Sequence, residues 1–281
     1  MKPTSKRKSL KLPNAPLAEV IFELRWALPG DPTVPIQIRQ DPGYVLLTEG
    51  FTALARKRGF RSRRAMSADS SALIAGHSVG FRFFPVEEAP YPIWQIGPGI
   101  FACNESVNYE WPMYRQLCLK GIETLYSTYP RISHFSLEPV HLELRYVDVF
   151  TEDMLGHNDI LQFLRQNTKL GFQLKEFSAN GRLASRTEGR ALFAQKTKAD
   201  TNTDFSYEVA GGSSSGKPSM IVISKVTTRK DKIAAPVASS SREKFYAKWL
   251  DDAHEITSQF FKDFVSDQLM RKFKATVKAG S

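Results

Sequence analysis

Two segments of the chain carry the same phrase. Residues 17–26 read Leu-Ala-Glu-Val-Ile-Phe-Glu-Leu-Arg-Trp, and residues 140–146 read Val-His-Leu-Glu-Leu-Arg-Tyr. Both alternate apolar and polar positions with the two-residue period of a half-buried strand. In the first, Val20, Phe22, Leu24 and Trp26 share one face and Glu19, Ile21, Glu23 and Arg25 the other. In the second, Leu142, Leu144 and Tyr146 oppose Glu143, Arg145 and Val147. Each run is followed by a stretch that reads as helix. The repetition predicts an α+β fold: two related lobes of mainly antiparallel sheet with packed helices, followed by a long C-terminal helix. Chance recurrence is the competing explanation, because alternating strands are common in half-buried sheets.

The expected organisation is a basic tail over residues 1–13, an N-terminal α+β lobe over 14–133, a C-terminal α+β lobe over 134–238, and a helix with its tail over 239–281. A helix is predicted over 44–58, with Val45, Phe51, Leu54 and Ala55 available for packing and Gly59 ending it. Strands follow around 72–76, 79–86 and 91–103, then a helix over 107–128 with Pro112 in its first turn, where a missing N–H costs little. The second lobe opens with a strand over 138–150 and a helix over 157–168. Residues 171–226 read as three or four antiparallel strands turning at Asn180-Gly181 and Gly211-Gly212. The last helix spans about 240–276, with a packing stripe of Phe245, Trp249, Ala253, Ile256, Phe260 and Phe264.

No apolar run is long enough to cross a bilayer, so no membrane partner is expected. The basic start is interrupted by Leu12-Pro-Asn-Ala-Pro16 where a secretory signal needs a long apolar segment. Cys103 and Cys118 are too few for a disulfide framework and read as reduced thiols of a cytoplasmic protein.

Several motifs fail when tested for chemistry. Gly211-Gly-Ser-Ser-Ser-Gly216-Lys217 has the spacing of a phosphate-binding loop, but Pro218 stands where Ser or Thr is needed and the following residues read as strand, so it is a hairpin loop. His141-Leu-Glu143 lacks the downstream cysteine pair of a zinc deaminase. The five histidines have no metal-ligand spacing, so neither a metal nor a cofactor is expected.

Two groups of residues remain as candidate sites. The net charge of +10 favours an acidic partner. Residues 56–64 concentrate it in Arg56, Lys57, Arg58, Arg61, Arg63 and Arg64, with Phe60 available to stack, which suits a nucleic-acid backbone. The second group is Glu23, Arg25, Glu143 and Arg145, which would meet where the lobes join. Ordinary salt bridges on strand faces are the plainer reading of that quartet.

Three segments together resemble a family. They are Leu12-Pro-Asn-Ala-Pro-Leu-Ala-Glu19, Trp94-Gln-Ile-Gly-Pro-Gly-Ile-Phe-Ala-Cys-Asn104 leading into Tyr109-Glu-Trp111, and Leu142-Glu-Leu-Arg-Tyr146; Leu250-Asp-Asp-Ala-His254 followed by Phe260 adds a fourth. The chain resembles a sporadically distributed, uncharacterised family of prokaryotic proteins of similar length. At Tyr146-Val-Asp148 it departs from the pattern, in which an Asn follows the aromatic. The resemblance brings no catalytic residues. It implies a place in mobile-element or anti-phage defence loci. The leading expectation is therefore a non-catalytic binding or adaptor protein with a protein partner. Nucleic-acid binding through residues 56–64 is the alternative, and an enzyme built on the Glu–Arg quartet is a second alternative. A homodimer through the last helix is a further expectation.

Overall fold

A computed structural model describes residues 12, 14–31, 33–66, 74–106, 109–132, 135–156, 160–169, 190–196, 203–214, 216–229, 233 and 239–274. The strands are β1 (Leu17–Trp26), β2 (Ser62–Ala65), β3 (Phe81–Phe84), β4 (Ile93–Gly97), β5 (Ile100–Glu105), β6 (Pro139–Phe150), β7 (Arg190–Lys196), β8 (Asp204–Ser214) and β9 (Lys217–Arg229). The helices are α1 (Tyr44–Lys57), α2 (Trp111–Thr128), α3 (Glu152–Leu155), α4 (Ile160–Asn167), α5 (Ser239–Phe264) and α6 (Asp267–Lys274). The strands form one nine-stranded sheet in the order β2-β3-β4-β5-β1-β6-β9-β8-β7. Every neighbouring pair is antiparallel.

The two phrase-bearing strands, β1 and β6, lie side by side at the centre. Phe22 pairs with Leu144, Glu23 with Glu143 and Leu24 with Leu142. On each side of this pair the first strand of a half bonds to its last, β1 to β5 and β6 to β9, and the remaining strands step outward by hairpins. The halves thus follow similar paths and join edge to edge in one sheet.

The alternation fixes which face is covered. Val20, Phe22, Leu24, Trp26, Leu142 and Leu144 are fully buried, together with Phe51 of α1, Cys118 and Leu125 of α2, and Tyr246, Leu250 and Ala253 of α5. These residues form one core on one side of the sheet. A second cluster on the same side gathers Phe150, Met220 and Val222 from the sheet with Phe163 of α4, Phe264 of α5 and Phe273 of α6. Antiparallel sheets commonly pack one face and leave the other solvated. Here the opposite face is polar: Glu19, Arg25, His141, Glu143, Arg145 and Lys225 are half-buried on it, and Glu23, Gln95 and Asn104 are buried.

Asp41 ties this layer together. Its carboxylate accepts hydrogen bonds from Trp26 Nε1 at 3.0 Å, Tyr129 Oη at 2.6 Å, and the backbone N–H groups of Gly43 at 2.9 Å and Gly99 at 3.2 Å. One buried acid therefore links the end of β1, the entry to α1, the β4–β5 turn and the end of α2. A buried carboxylate is tolerable when its oxygens are satisfied in this way.

The structure corrects several expectations. Residues 91–103 are not one strand but a hairpin, turning at Gly99 with φ +75°. Residues 74–76 are not strand, and 72–73 lie outside the described residues. The basic run contributes an unforeseen edge strand, β2. Val45 is 70% exposed and does not pack. Gly211 and Gly212 lie inside β8, paired with Met220 and Ser219, and the chain turns later, at Gly216, which supplies φ +77°. The last helix is broken after Phe264: Val265 bridges to Thr168, and the Ser266 hydroxyl accepts the Leu269 N–H at 3.2 Å to start α6. Asn180-Gly181, the tail before Leu12 and residues 157–159 lie outside the described residues.

Candidate functional site

The structure brings Glu23, Arg25, Glu143 and Arg145 together at the centre of the sheet on the face opposite the core, where Glu23 is buried and the other three are half-buried. Glu23 and Glu143 are directly opposite across the β1–β6 pair. Like charges in that position repel, and each carboxylate is offset by the arginine two residues further along its own strand. Arg25 Nε donates to Glu23 Oε1 at 2.6 Å. Arg145 Nε lies 3.2 Å from Glu143 Oε1. That N–H is not aimed at the oxygen, however, and it is buried without an acceptor. His141 Nε2 approaches Glu143 Oε2 at 3.6 Å. Burial pushes the Glu143 carboxyl up, but the His141 contact and the charges of Arg145, His141 and Lys225 outweigh it and hold the group below the usual 4.5.

The charged array extends along the face in both directions. Lys225 of β9 stands opposite Arg145, Thr227 opposite Glu143, and Arg229 opposite His141. On the other flank a hydrogen-bonded row crosses four strands. Arg82 Nε donates to Gln95 Oε1 at 2.9 Å, Gln95 Nε2 to Asn104 Oδ1 at 2.6 Å, and Asn104 Nδ2 to Glu19 Oε1 at 2.7 Å. The Tyr91 hydroxyl also donates to Glu19, at 3.1 Å, and burial together with that acid pushes the phenol up to about 12. Such an array presents charges and amides in fixed positions.

The basic run is divided by the fold. Arg56 and Lys57 end α1, where cations complement the helix dipole, and both are exposed. Arg58 turns to α2 and bonds the Lys120 carbonyl at 2.8 Å and Glu123 at 3.0 Å. Arg61 is exposed, while Arg63 and Arg64 project from opposite faces of β2. Phe60 is not available to stack on a base: it is 5% exposed and lies flat on Trp94 with ring centroids 4.0 Å apart.

A polar network on the packed side has no counterpart in the sequence reading. The hydroxyls of Tyr109 and Tyr146 are 2.7 Å apart, and Tyr146 Oη lies 2.8 Å from His254 Nδ1. Trp111 stacks on the His254 ring at 4.0 Å, and its indole N–H reaches Asp251 at 3.3 Å. Burial lowers the His254 imidazole to about 4, partly countered by Asp251. Next along β6 is Asp148, 5% exposed between Leu17 and Val222. Burial alone pushes its carboxyl up to about 7. The signal was present in the alternation, since Asp148 falls in the apolar series Leu142, Leu144, Tyr146, Phe150.

Among the described residues no group of three or more His, Cys, Asp or Glu side chains could hold a metal ion. No described helix is long and apolar enough to cross a membrane. Cys103 and Cys118 are both unpaired and buried. Comparison with protein-family models, curated proteins and solved structures finds nothing that matches the chain.

Proposed function

We propose that the protein is a non-catalytic adaptor that holds a protein partner against the polar face of its sheet, at its half-buried and exposed charges. The observation that carries this reading is the convergence of Glu23, Arg25, Glu143 and Arg145 on the central strand pair, with Glu143 kept ionised by its neighbours. A general acid or base works best with a pKa near the operating pH. A carboxylate locked below its ordinary value serves better as a fixed charge in recognition. The half-buried Arg25, Arg145 and Lys225 and the exposed Arg229 offer donors to acidic side chains of a partner.

The alternative of nucleic-acid contact draws on Arg56, Lys57 and Arg61, with Arg271, Lys272 and Lys274 of α6, all exposed. With Phe60 packed away, such contact would rest on phosphates and lack stacking. The similar paths of the two halves support an internal duplication. The unpaired, buried thiols fit a reducing compartment such as the cytoplasm. The family resemblance would place the adaptor in a prokaryotic mobile-element or anti-phage defence assembly.

The test is affinity capture of the full chain from its native cells, with mass spectrometry and nucleic-acid extraction of the eluate, run beside a Lys225→Glu/Arg229→Glu variant. A protein retained by the parent chain and lost from the variant supports the adaptor. Equal capture by both chains, or recovery of only nucleic acid that washes off in salt, refutes it.

A further inference from the structure

The outer edge of β2 lies at the end of the sheet, separated from the central pair by β3, β4 and β5, so what it binds does not depend on the reading given above. Arg63, Arg64 and Ala65 are exposed, and β3 is the only strand paired with β2 among the described residues. An edge strand leaves alternate backbone N–H and C=O groups pointing outward and unpaired, a template for another strand.

The side chains add direction to this edge. Arg64 sits directly opposite Arg82 across the β2–β3 pair, an arrangement that costs stability in isolation. The Arg64 guanidinium lies over the Phe84 ring at 5.4 Å, and that of Arg63 lies over Phe81 at 4.7 Å. Arg63 Nη1 also donates to Thr52 of α1 at 3.2 Å. Adjacent residues of a strand point to opposite faces, so the two braced cations flank the edge from both sides of the sheet. Arg61 adds a third cation at the start, where its N–H bonds the Pro85 carbonyl at 3.3 Å. Apolar contacts are available at the two ends, with Val86 55% and Met66 43% exposed.

We propose that β2 docks an acidic, extended peptide segment of a partner protein as an added outer strand. Backbone pairing would supply the ladder, and carboxylates on both faces of the incoming strand would meet Arg63 and Arg64. A phosphodiester chain could meet these cations but has no alternating N–H and C=O groups to pair with the edge. The open backbone together with the flanking charge therefore favours an acidic peptide over a nucleic acid. A charged edge that merely guards against aggregation is the reading that the experiment must defeat.

The probe is a fluorescein-labelled peptide with the core Thr-Val-Glu-Glu-Val-Thr, titrated into the full chain by fluorescence anisotropy at low salt. Controls replace one Val by Pro, replace both Glu by Lys, or use a single-stranded oligonucleotide of equal length. The acidic peptide is expected to bind, with roughly tenfold weaker binding to Arg64→Ala and to Arg63→Ala, and with loss of binding for the Pro and Lys peptides. Hydrogen exchange at β2 amides should slow on binding, a signature that charge attraction alone does not produce. Circular dichroism of each variant checks that its fold is retained. Absence of binding, equal binding of the Pro peptide, unchanged β2 exchange, or tighter binding of the oligonucleotide would each overturn the proposal.

Discussion

Asp148 offers a sharp test of the burial argument, because its effect on stability has a fixed sign and a calculable limit. The carboxyl is 5% exposed, and burial alone raises it from 3.8 to about 7. In the unfolded chain it ionises near its ordinary value. Between about pH 4 and 7 the folded state therefore holds a proton that the unfolded state has released. Stability must fall as pH rises through that window and level off above it. At about 1.4 kcal/mol per pKa unit, the gap is worth about 4 kcal/mol at pH 8. Asp148→Asn keeps the shape and removes the charge. The variant should match the parent near pH 4 and exceed it by up to about 4 kcal/mol at pH 8. Urea unfolding at several pH values, read as the difference between the two chains, cancels other titrating groups such as His77 and His254. A difference that stays constant from pH 4 to 8 would refute the reasoning.

Other substitutions probe the remaining contacts. Asp41→Ala leaves the buried donors Trp26 Nε1, Tyr129 Oη and two backbone N–H groups without their acceptor, and should cost roughly 3 kcal/mol or more in urea unfolding. Phe60→Ala removes the ring stacked on Trp94 and should cost about 3 kcal/mol, whereas Arg56→Ala and Lys57→Ala, at exposed positions, should stay within about 0.5 kcal/mol of the parent. Glu143 is held below its ordinary 4.5, so it contributes stability that is present above that value and lost as pH falls through the lowered one. Glu143→Gln should therefore destabilise at pH 7 and flatten the acid limb of the stability profile, as followed by circular dichroism.

The central strands were legible because one face is lined by apolar side chains under the helices and the other carries the charged ones. That asymmetry writes a two-residue period into Val20 to Trp26 and into Leu142 to Phe150, and the same period placed Glu23, Arg25, Glu143 and Arg145 on one face. The pairing of the two phrases with each other was beyond the pattern, since alternation reports which face is buried and not which strand is the neighbour. β2 is not legible in the sequence because an exposed edge strand has no apolar face to reveal it. Nor is the break after Phe264, which depends on a contact between Val265 and the distant Thr168. The Tyr109–Tyr146–His254 chain is assembled from three elements far apart in sequence. Asp148, by contrast, stood out in principle as the one acid within an otherwise apolar series.

The union of β1 with β6 has a consequence for how the chain can be divided. A cut in the connection between α2 and β6 would leave each fragment with a raw inner edge, patterned from Leu17 to Trp26 on one and from Pro139 to Asp148 on the other. Each edge is the mould of its counterpart. The severed pieces should therefore find one another and rebuild a working whole, which makes that connection the natural place to split the molecule for complementation.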